Sequence, residues 1–189
     1  MRLIHLIRHA RPSITGLILG RTELPLEAPV GPSALTVQTV YSSPLIRARQ
    51  TAEQMFPGHT IVIAQDLAER GMGEWDGMQW SEIEARWPAQ AAAALEDWFA
   101  FTPPNAEPWI CFADRVRQAW HSIPGQGDIA IVAHVGVNAV LSNLIAGSGL
   151  ADFRQHYEEV ITLEIPDEHS PTEERSTDRG SDPAMEFAD

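Results

Sequence analysis

A short apolar segment near the N-terminus leads directly into two cationic side chains, and it constrains the fold more than any other stretch. Residues 3 to 7 are apolar apart from His5, and Arg8 and His9 follow at once. So short a continuous apolar run predicts a strand buried on both faces of a largely parallel sheet. Ligands of open α/β sheets bind beyond the carboxyl ends of the strands, so Arg8 and His9 are candidate site residues.

The same pattern recurs late in the chain. Residues 129 to 133 are all apolar, and His134 follows them directly. If both strands are parallel members of one sheet, His9 and His134 meet at the same edge. The alternative interpretation is that each histidine simply ends a buried strand.

A third candidate lies between these two strands. Residues 39 to 41 predict a strand, and we expect a helix to begin just after it, with Ser43 as the N-cap and Pro44 as the first helical residue. Arg47 then lies in the first turn, near the positive end of the helix. Arg49, only two residues further, lies on a different face.

Two arginines and two imidazoles gathered at one sheet edge suit a phosphate group. An imidazole can attack phosphorus and form a phosphohistidine, while the leaving alkoxide needs a proton from an acid. A carboxyl beside a phosphate has its pKa raised toward that task. Glu69, in a glycine-rich loop after a predicted strand at residues 60 to 64, is the preferred acid, with Glu74 and Asp76 as weaker alternatives.

The remaining pattern predicts helices over residues 81–87, 89–101, 108–122 and 137–145, and a last strand over residues 160–165. The helix over 108–122 carries a mainly apolar stripe made of Ile110, Phe112, Val116, Ala119 and Trp120. Cys111 lies within this helix between two apolar residues. We therefore expect a buried core thiol rather than a nucleophile.

Length and charge bound the class of protein. The 189 residues predict one domain over residues 1–165 and an acidic, disordered tail over residues 166–189, which carries eight acidic residues against two arginines. The net charge of −13 argues against nucleic acid or an anionic membrane as a partner. All thirteen basic residues are arginines, which excludes a lysine Schiff base. No apolar run predicts a leader or a membrane span, so we expect a cytoplasmic protein.

Four blocks, in order, resemble the histidine phosphatase superfamily, also called phosphoglycerate mutase-like. They are Leu6-Ile7-Arg8-His9-Ala10, residues 41–52 from Tyr41 to Ala52, Leu67-Ala68-Glu69 with residues 73–77, and Val132-Ala133-His134-Val135-Gly136-Val137. The resemblance implies that His9 is phosphorylated, that Glu69 is the general acid and that His134 is the second catalytic histidine. It further implies that Arg8, Arg47 and His134 bind the phosphate.

The same resemblance implies a three-layer α/β/α sandwich with a mostly parallel central sheet, a small phosphorylated metabolite as substrate, and neither a metal nor a cofactor. Within the family, Pro12, Gly20, Pro25-Leu26 and the segment over residues 103–107 resemble the alpha-ribazole phosphatase branch. This branch acts late in the assembly of the cobalamin nucleotide loop. A broad-specificity phosphatase for small molecules is an equal alternative.

Three features depart from the family pattern. Ala10 and Val135 replace glycines beside the two histidines, which adds bulk where backbone approaches the phosphate. Residues 27–40 form a shorter segment than the family usually has, so one face of the sheet is expected to be thinly covered. A homodimer interface on that face is one interpretation, and a compact variant is another.

Other functions remain open at this stage. A phosphoglycerate mutase would use the same groups, although the trimmed loops argue against the closure that a mutase needs. A non-catalytic protein that binds a phosphorylated ligand is an alternative from another class. A zinc site built from His9, Glu69 and His134 is disfavoured because their sequence separation lacks metal-ligand spacing.

Overall fold

A five-stranded sheet organises the fold in a computed structural model that describes residues 1–166. Its strands are β1 (Arg2–Arg8), β3 (Thr39–Ser42), β4 (Ile61–Ile63), β6 (Ile129–Ala133) and β7 (Val160–Ile165), in the order β4-β3-β6-β1-β7. A separate antiparallel pair joins β2 (Leu17–Ile18) to β5 (Met78–Gln79). The strand at residues 3–7, the one at 39–41 and the last strand are thus confirmed.

The centre of the sheet is parallel, and this brings three strand ends together. β6 pairs in parallel with β1 and with β3, so Arg8 lies beside Ala133 and Ser42 lies beside Val132. Only β7, at one edge, runs antiparallel to its neighbour β1. His9, Ser43 and His134 each follow one of these ends and therefore share one edge of the sheet.

Three helices cover the sheet and give three layers: α1 (Ile46–Met55) lies on one face, and α4 (Trp109–His121) and α5 (Val135–Ala146) lie on the other. α2 (Trp80–Arg86) and α3 (Pro88–Glu96) instead pack with Met72 and Trp75 in a separate apolar cluster. Successive side chains of a strand point to opposite faces of the sheet, so each strand contributes apolar side chains to a hydrophobic core on either face. Ile4, Leu6 and Ile131 pack against α4 and α5, whereas Ile7, Val40 and Val132 pack against α1. Truncating a fully buried side chain such as Leu6 to alanine costs about 2–5 kcal/mol.

The shortened segment before β3 contains no helix. Val30, Leu35 and Val37 from this segment pack in extended conformation against the core on the α1 side of the sheet. Side-chain amides of α1 hold it there, because Gln50 and Gln54 accept hydrogen bonds from the backbone N–H groups of Leu26 and Val30. One helix and an extended chain therefore cover this face. The homodimer interpretation stays a prediction.

The predicted start of α1 is wrong. The helix begins at Ile46 rather than at Pro44, and Leu45 precedes it without capping through its side chain. The reason is a tertiary contact: the carboxylate of Glu23 accepts a hydrogen bond from the N–H of Ile46 at 2.7 Å. The hydroxyl of Ser43, the predicted N-cap, accepts a hydrogen bond from the N–H of Leu45, one residue before the helix begins. Arg47 nevertheless lies in the first helical turn, as predicted, and is buried while Arg49 is exposed.

Two further predictions are corrected by the helices over residues 80–121. The alanine-rich helix ends at Glu96 rather than Phe101, because Asp97 turns the chain and accepts hydrogen bonds from the N–H groups of Phe99 and Ala100. On α4, Phe112, Val116 and Ala119 face the core, which directs Ile110 and Cys111 to the opposite side. Ile110 is 62% exposed and Cys111 is also exposed, so Cys111 is not a core thiol.

The predicted tail, residues 166–189, lies outside the described residues apart from Pro166, and its disorder stays a prediction. Within residues 1–166, none of the helices combines the length and the apolar character that crossing a bilayer requires.

Candidate active site

His9 lies at the end of β1 with both ring nitrogens engaged. Nδ1 is 2.7 Å from the carbonyl oxygen of Ala10, and because a carbonyl only accepts, Nδ1 carries the proton. Nε2 accepts a hydrogen bond from Nε of Arg47 at 3.1 Å, so its lone pair faces the guanidinium. Burial and the charge of Arg47 lower the pKa of His9 to about 3. The ring is therefore neutral at pH 7, with a free electron pair on Nε2.

Arg47 is almost wholly buried and is held by the loop that precedes it in sequence. Its Nη1 donates to the carbonyl of Thr22 at 2.7 Å, and its Nη2 donates to that of Gly20 at 2.8 Å. The loop at residues 13–26 thus contacts the site through Gly20 and Thr22. Thr51, one turn along α1, donates to the Arg47 carbonyl and accepts from the N–H of Ala10, which ties the helix to the end of β1.

His134 lies beside His9, with the ring centroids 5.1 Å apart. Its Nε2 is 2.7 Å from Oγ of Ser43, and that oxygen also accepts a hydrogen bond from the N–H of Leu45. Nδ1 of His134 is buried and has no hydrogen-bond partner within residues 1–166. Burial, followed by the charge of Arg47, holds the pKa of His134 well below its usual value.

Arg8 approaches the same place from the last position of β1. Its Nη1 donates to the carbonyl of Gln155 at 2.7 Å, and its guanidinium carbon lies 4.0 Å from the ring centroid of Tyr157. The ring of Tyr157 is in turn 5.6 Å from that of His9. Glu158, the next residue, has a φ of 63°, a left-handed conformation that is costly for a residue with a side chain. Backbone hydrogen bonds of Glu158 and Glu159 to Arg8 hold this strained turn in place.

Glu69 faces the first turn of α5. Its carboxylate accepts hydrogen bonds from the N–H groups of Arg70 at 2.9 Å and of Gly136 at 3.2 Å. Burial raises the pKa of Glu69, and these two hydrogen bonds only partly oppose the rise. A Cβ added at Gly136 would lie 2.5 Å from the Glu69 carboxyl, so the glycine permits this approach. The close approach that requires a glycine is thus at Gly136, not at the preceding Val135.

A cavity of about 240 Å³ opens beside this cluster, and His134 is not among the residues that line it. Arg8, His9, Arg47 and Glu69 contribute polar atoms to it, and the remaining wall is largely apolar, from Leu17, Ile18, Leu19, Met72, Trp98, Trp109, Val135 and Tyr157. A second cavity of about 330 Å³ shares Trp98, Trp109, Val135 and Gly136 with the first. The two spaces are therefore adjacent, and Glu69 contacts Gly136 at their common wall.

The structure brings together every residue singled out from sequence: Arg8, His9, Arg47, Glu69 and His134. The two weaker acid candidates have other partners, since Glu74 is exposed and bonded to Asn105, while Asp76 accepts from the N–H groups of Arg21 and Met72. Within residues 1–166, no group of three His, Cys, Asp or Glu side chains has an arrangement that could hold a metal ion.

Sequence reasoning missed two members of the site. Ser43 was assigned to a helix cap, although its position directly after a predicted strand, like those of His9 and His134, was a usable signal. Tyr157 follows no strand and belongs to a segment with no regular pattern. Only the packing of that segment against the end of β1 places it beside His9.

Comparison with known proteins agrees with this geometry. The sequence profile of the histidine phosphatase superfamily (branch 1) matches residues 32–176, which is more than half of the chain and includes Arg47, Glu69 and His134. The bifunctional protein Rv2228c of Mycobacterium tuberculosis is 32% identical over 127 residues, covering 64% of this chain. The chain spans about a third of that relative, since the match covers 34% of its length.

Solved structures show the fold. The alpha-ribazole phosphatase of Shigella flexneri superposes with a TM-score of 0.75 at 22% identity, over 87% of this chain and 91% of that one. TTHB049 of Thermus thermophilus gives a TM-score of 0.69 at 26% identity, over 87% and 94% of the two chains. The predicted α/β class is confirmed, and the mostly parallel sheet with helices on both faces is the phosphoglycerate mutase-like fold.

Proposed function

Because the chain belongs to the histidine phosphatase superfamily, we propose that it is a metal-independent phosphomonoesterase that acts on a small phosphorylated metabolite through a phosphohistidine. The observation that carries the proposal is the state of His9. Its proton is fixed on Nδ1 by the Ala10 carbonyl, and its Nε2 lone pair accepts a hydrogen bond from Arg47 at the wall of a cavity that Arg8, Arg47 and Arg70 line. A neutral imidazole with a lone pair on Nε2 among cations is prepared to attack an anionic phosphate once the phosphate takes over the bond from Arg47.

In the first step, Nε2 of His9 forms a bond to phosphorus while the bond from phosphorus to the ester oxygen breaks. Arg47 is already directed at Nε2, so its Nε–H passes from the histidine lone pair to a phosphoryl oxygen as the substrate binds. Arg8 and Nδ1 of His134, which lacks a partner within the described residues, supply further contacts to the phosphoryl oxygens. Positioning and charge neutralisation of this kind account for most of the catalysis of phosphoryl transfer.

Glu69 acts as the general acid. Burial raises the pKa of Glu69, which favours the protonated form that can donate to the departing ester oxygen. In the second step, the Glu69 carboxylate accepts a proton from a water molecule that attacks phosphorus. The bond from Nε2 to phosphorus then breaks, which releases inorganic phosphate and restores His9.

The organic part of the substrate is proposed to extend into the apolar space. Glu69 must face the ester oxygen, and it contacts Gly136 on the wall shared by the two cavities. The first cavity alone is smaller than the roughly 300–1,000 Å³ typical of ligand pockets, whereas both together fall within that range. Alpha-ribazole 5'-phosphate, suggested by the branch that the sequence resembles, is the named candidate, and the Shigella structure is an alpha-ribazole phosphatase.

The test is phosphate release from 4-nitrophenyl phosphate and from alpha-ribazole 5'-phosphate, measured with EDTA present for the wild type and for His9→Ala. We expect release that is insensitive to EDTA and lost in the variant, with a phosphohistidine trapped by rapid acid quench of the wild type. A folded wild type that releases no phosphate from either ester would contradict the phosphatase proposal and favour a binding protein. Transfer of the phosphate to an acceptor alcohol in place of water would favour a mutase.

A further inference from the structure

A partly buried arginine outside the cavity divides its hydrogen bonds between the loop that carries Glu69 and the carboxylate of Glu107. Arg115 lies on α4, and its Nη1 donates to the carbonyls of Asp66 and Ala68 at 2.7 and 2.8 Å. Its Nη2 donates to the carbonyl of Glu69 itself at 3.1 Å. Nε and Nη2 together form a bidentate pair with the carboxylate of Glu107, at 2.7 and 2.8 Å. All five N–H groups of the guanidinium are thus engaged.

Glu107 holds the same loop on the C-terminal side of Glu69. Besides Arg115, its carboxylate accepts hydrogen bonds from the N–H of Gly71 and from Nη2 of Arg21. Burial tends to raise the pKa of Glu107, but the contacts with Arg115 outweigh it and the pKa is lowered, so the pair stays charged. Asp66, Ala68 and Glu69 are therefore fixed by Arg115, and Gly71 is fixed by Glu107.

We propose that Arg115 and Glu107 are positioning residues for the general acid, and this proposal rests on the proposed function. Neither side chain lines the cavity, so neither touches the substrate. Both hold the backbone from residue 66 to residue 71, where Glu69 and Arg70 are the side chains that reach the cavity. The planar fork of a guanidinium can satisfy three carbonyls and a carboxylate at once, which the single ammonium of a lysine cannot reproduce.

The role predicts an effect that depends on the leaving group. Ethyl phosphate expels a strongly basic alkoxide and needs the proton of Glu69, whereas 4-nitrophenyl phosphate expels a weakly basic phenoxide and needs it little. A general acid accelerates a reaction by about 10²–10⁴. If Glu69 is displaced but still present, part of this acceleration is lost. For Arg115→Gln we expect kcat/KM to fall about 30-fold or more on ethyl phosphate and less than about threefold on 4-nitrophenyl phosphate.

The experiment compares kcat/KM on the two esters for the wild type, Arg115→Gln, Glu107→Gln and Arg117→Gln. The ratio kcat/KM is used because it reports transfer to His9 and excludes the later hydrolysis that both esters share. Arg117 is the matched control, since it lies on the same helix but pairs with Asp114 at the surface. We expect the control to behave as the wild type on both esters.

Equal losses on the two esters, or no loss on either, would overturn the positioning role while leaving the phosphatase function intact. If Arg115→Gln fails to fold, kcat/KM of Glu107→Gln on the two esters tests the positioning role instead. We expect this variant to fold, because it keeps the three bonds from Arg115 to the loop carbonyls. Restoration of the wild-type ratio by Arg115→Lys would also contradict the role, since the ammonium of a lysine cannot reproduce the three bonds to the loop together with the pair to Glu107. A wild type inactive on both esters would overturn the proposed function and this role with it.

Discussion

Nε of Arg47 donates a hydrogen bond to Nε2 of His9 across 3.1 Å, and this one contact defines the state of the candidate nucleophile. Because Arg47 only donates, Nε2 must carry a lone pair, and Nδ1 must carry the proton that the Ala10 carbonyl accepts. The same guanidinium lies against the loop carbonyls of Gly20 and Thr22. One buried cation therefore orients the histidine, adds to the effect of burial in keeping it neutral, and shapes the cavity wall.

Stability is predicted to fall as the pH drops below about 6.5. His9 has a folded pKa of about 3 against an unfolded value of 6.5, so between these values the unfolded state binds more protons and acid favours unfolding. His134 shifts in the same direction. Each such histidine contributes up to about 1.4 kcal/mol per pH unit within its window. Urea unfolding of the wild type from pH 7 to pH 4.5 measures the slope.

The variant His9→Gln removes one titrating group from this experiment. Its free energy of unfolding should change less steeply with pH than that of the wild type, by about 1 kcal/mol per pH unit. Substitution of the exposed His121 by glutamine serves as the control and should leave the slope unchanged. An identical slope for His9→Gln and wild type would show that His9 is not held neutral by the fold.

Ser43→Ala is predicted to impair catalysis more than folding. The Ser43 hydroxyl contacts Nε2 of His134 at 2.7 Å, and its loss leaves that ring without a fixed orientation. A hydrogen bond between two neutral groups contributes about 0.5–1.5 kcal/mol, which corresponds to a fall of about two- to tenfold in kcat. Ser42→Ala is the matched control, since Ser42 is equally buried but bonds only to the Ser43 carbonyl. Comparable losses in both serine variants would count against the role of Ser43.

Gly136→Ala is predicted to change stability and activity in opposite directions. Alanine is favoured over glycine in a helix by up to about 1 kcal/mol, so the melting temperature should hold or rise. The added Cβ would displace the Glu69 carboxyl, which lies 2.5 Å from that position, so hydrolysis of ethyl phosphate should fall at least about tenfold. Gly149→Ala, where a Cβ meets only Asp152 at 3.4 Å, is the control. Unchanged hydrolysis in Gly136→Ala would contradict the placement of the acid.

Tyr157→Leu is predicted to weaken phosphate binding. The ring lies 4.0 Å from the guanidinium carbon of Arg8, and a cation–π contact of this kind contributes about 0.5–2 kcal/mol. The inhibition constant of inorganic phosphate should therefore rise about two- to thirtyfold. Trp87→Leu removes a comparable contact, with Arg86, away from both cavities and should not change that constant. A Tyr157→Leu variant that binds phosphate as tightly as the wild type would exclude this role.

Sequence patterns were reliable where the determinants are local. Apolar runs predicted the strands that end before His9 and His134, and the turn before α1 placed Arg47 near the start of a helix. Errors arose where a tertiary contact replaced a local preference. The N–H of Ile46 donates to the distant Glu23, and the Ser43 hydroxyl contacts the equally distant His134.

The sequence by itself determined which strands are buried, which polar residues follow them and hence which groups could gather at one sheet edge. The spacing of apolar residues, and the identity of the residue that directly follows a strand, are enough for that, because both act over a few residues. Only the tertiary structure decided the pairs that do chemistry together: Arg47 with His9, Ser43 with His134, and Glu69 with Gly136. Their members lie far apart in the chain, and no local preference encodes the register and packing that bring them within hydrogen-bond distance.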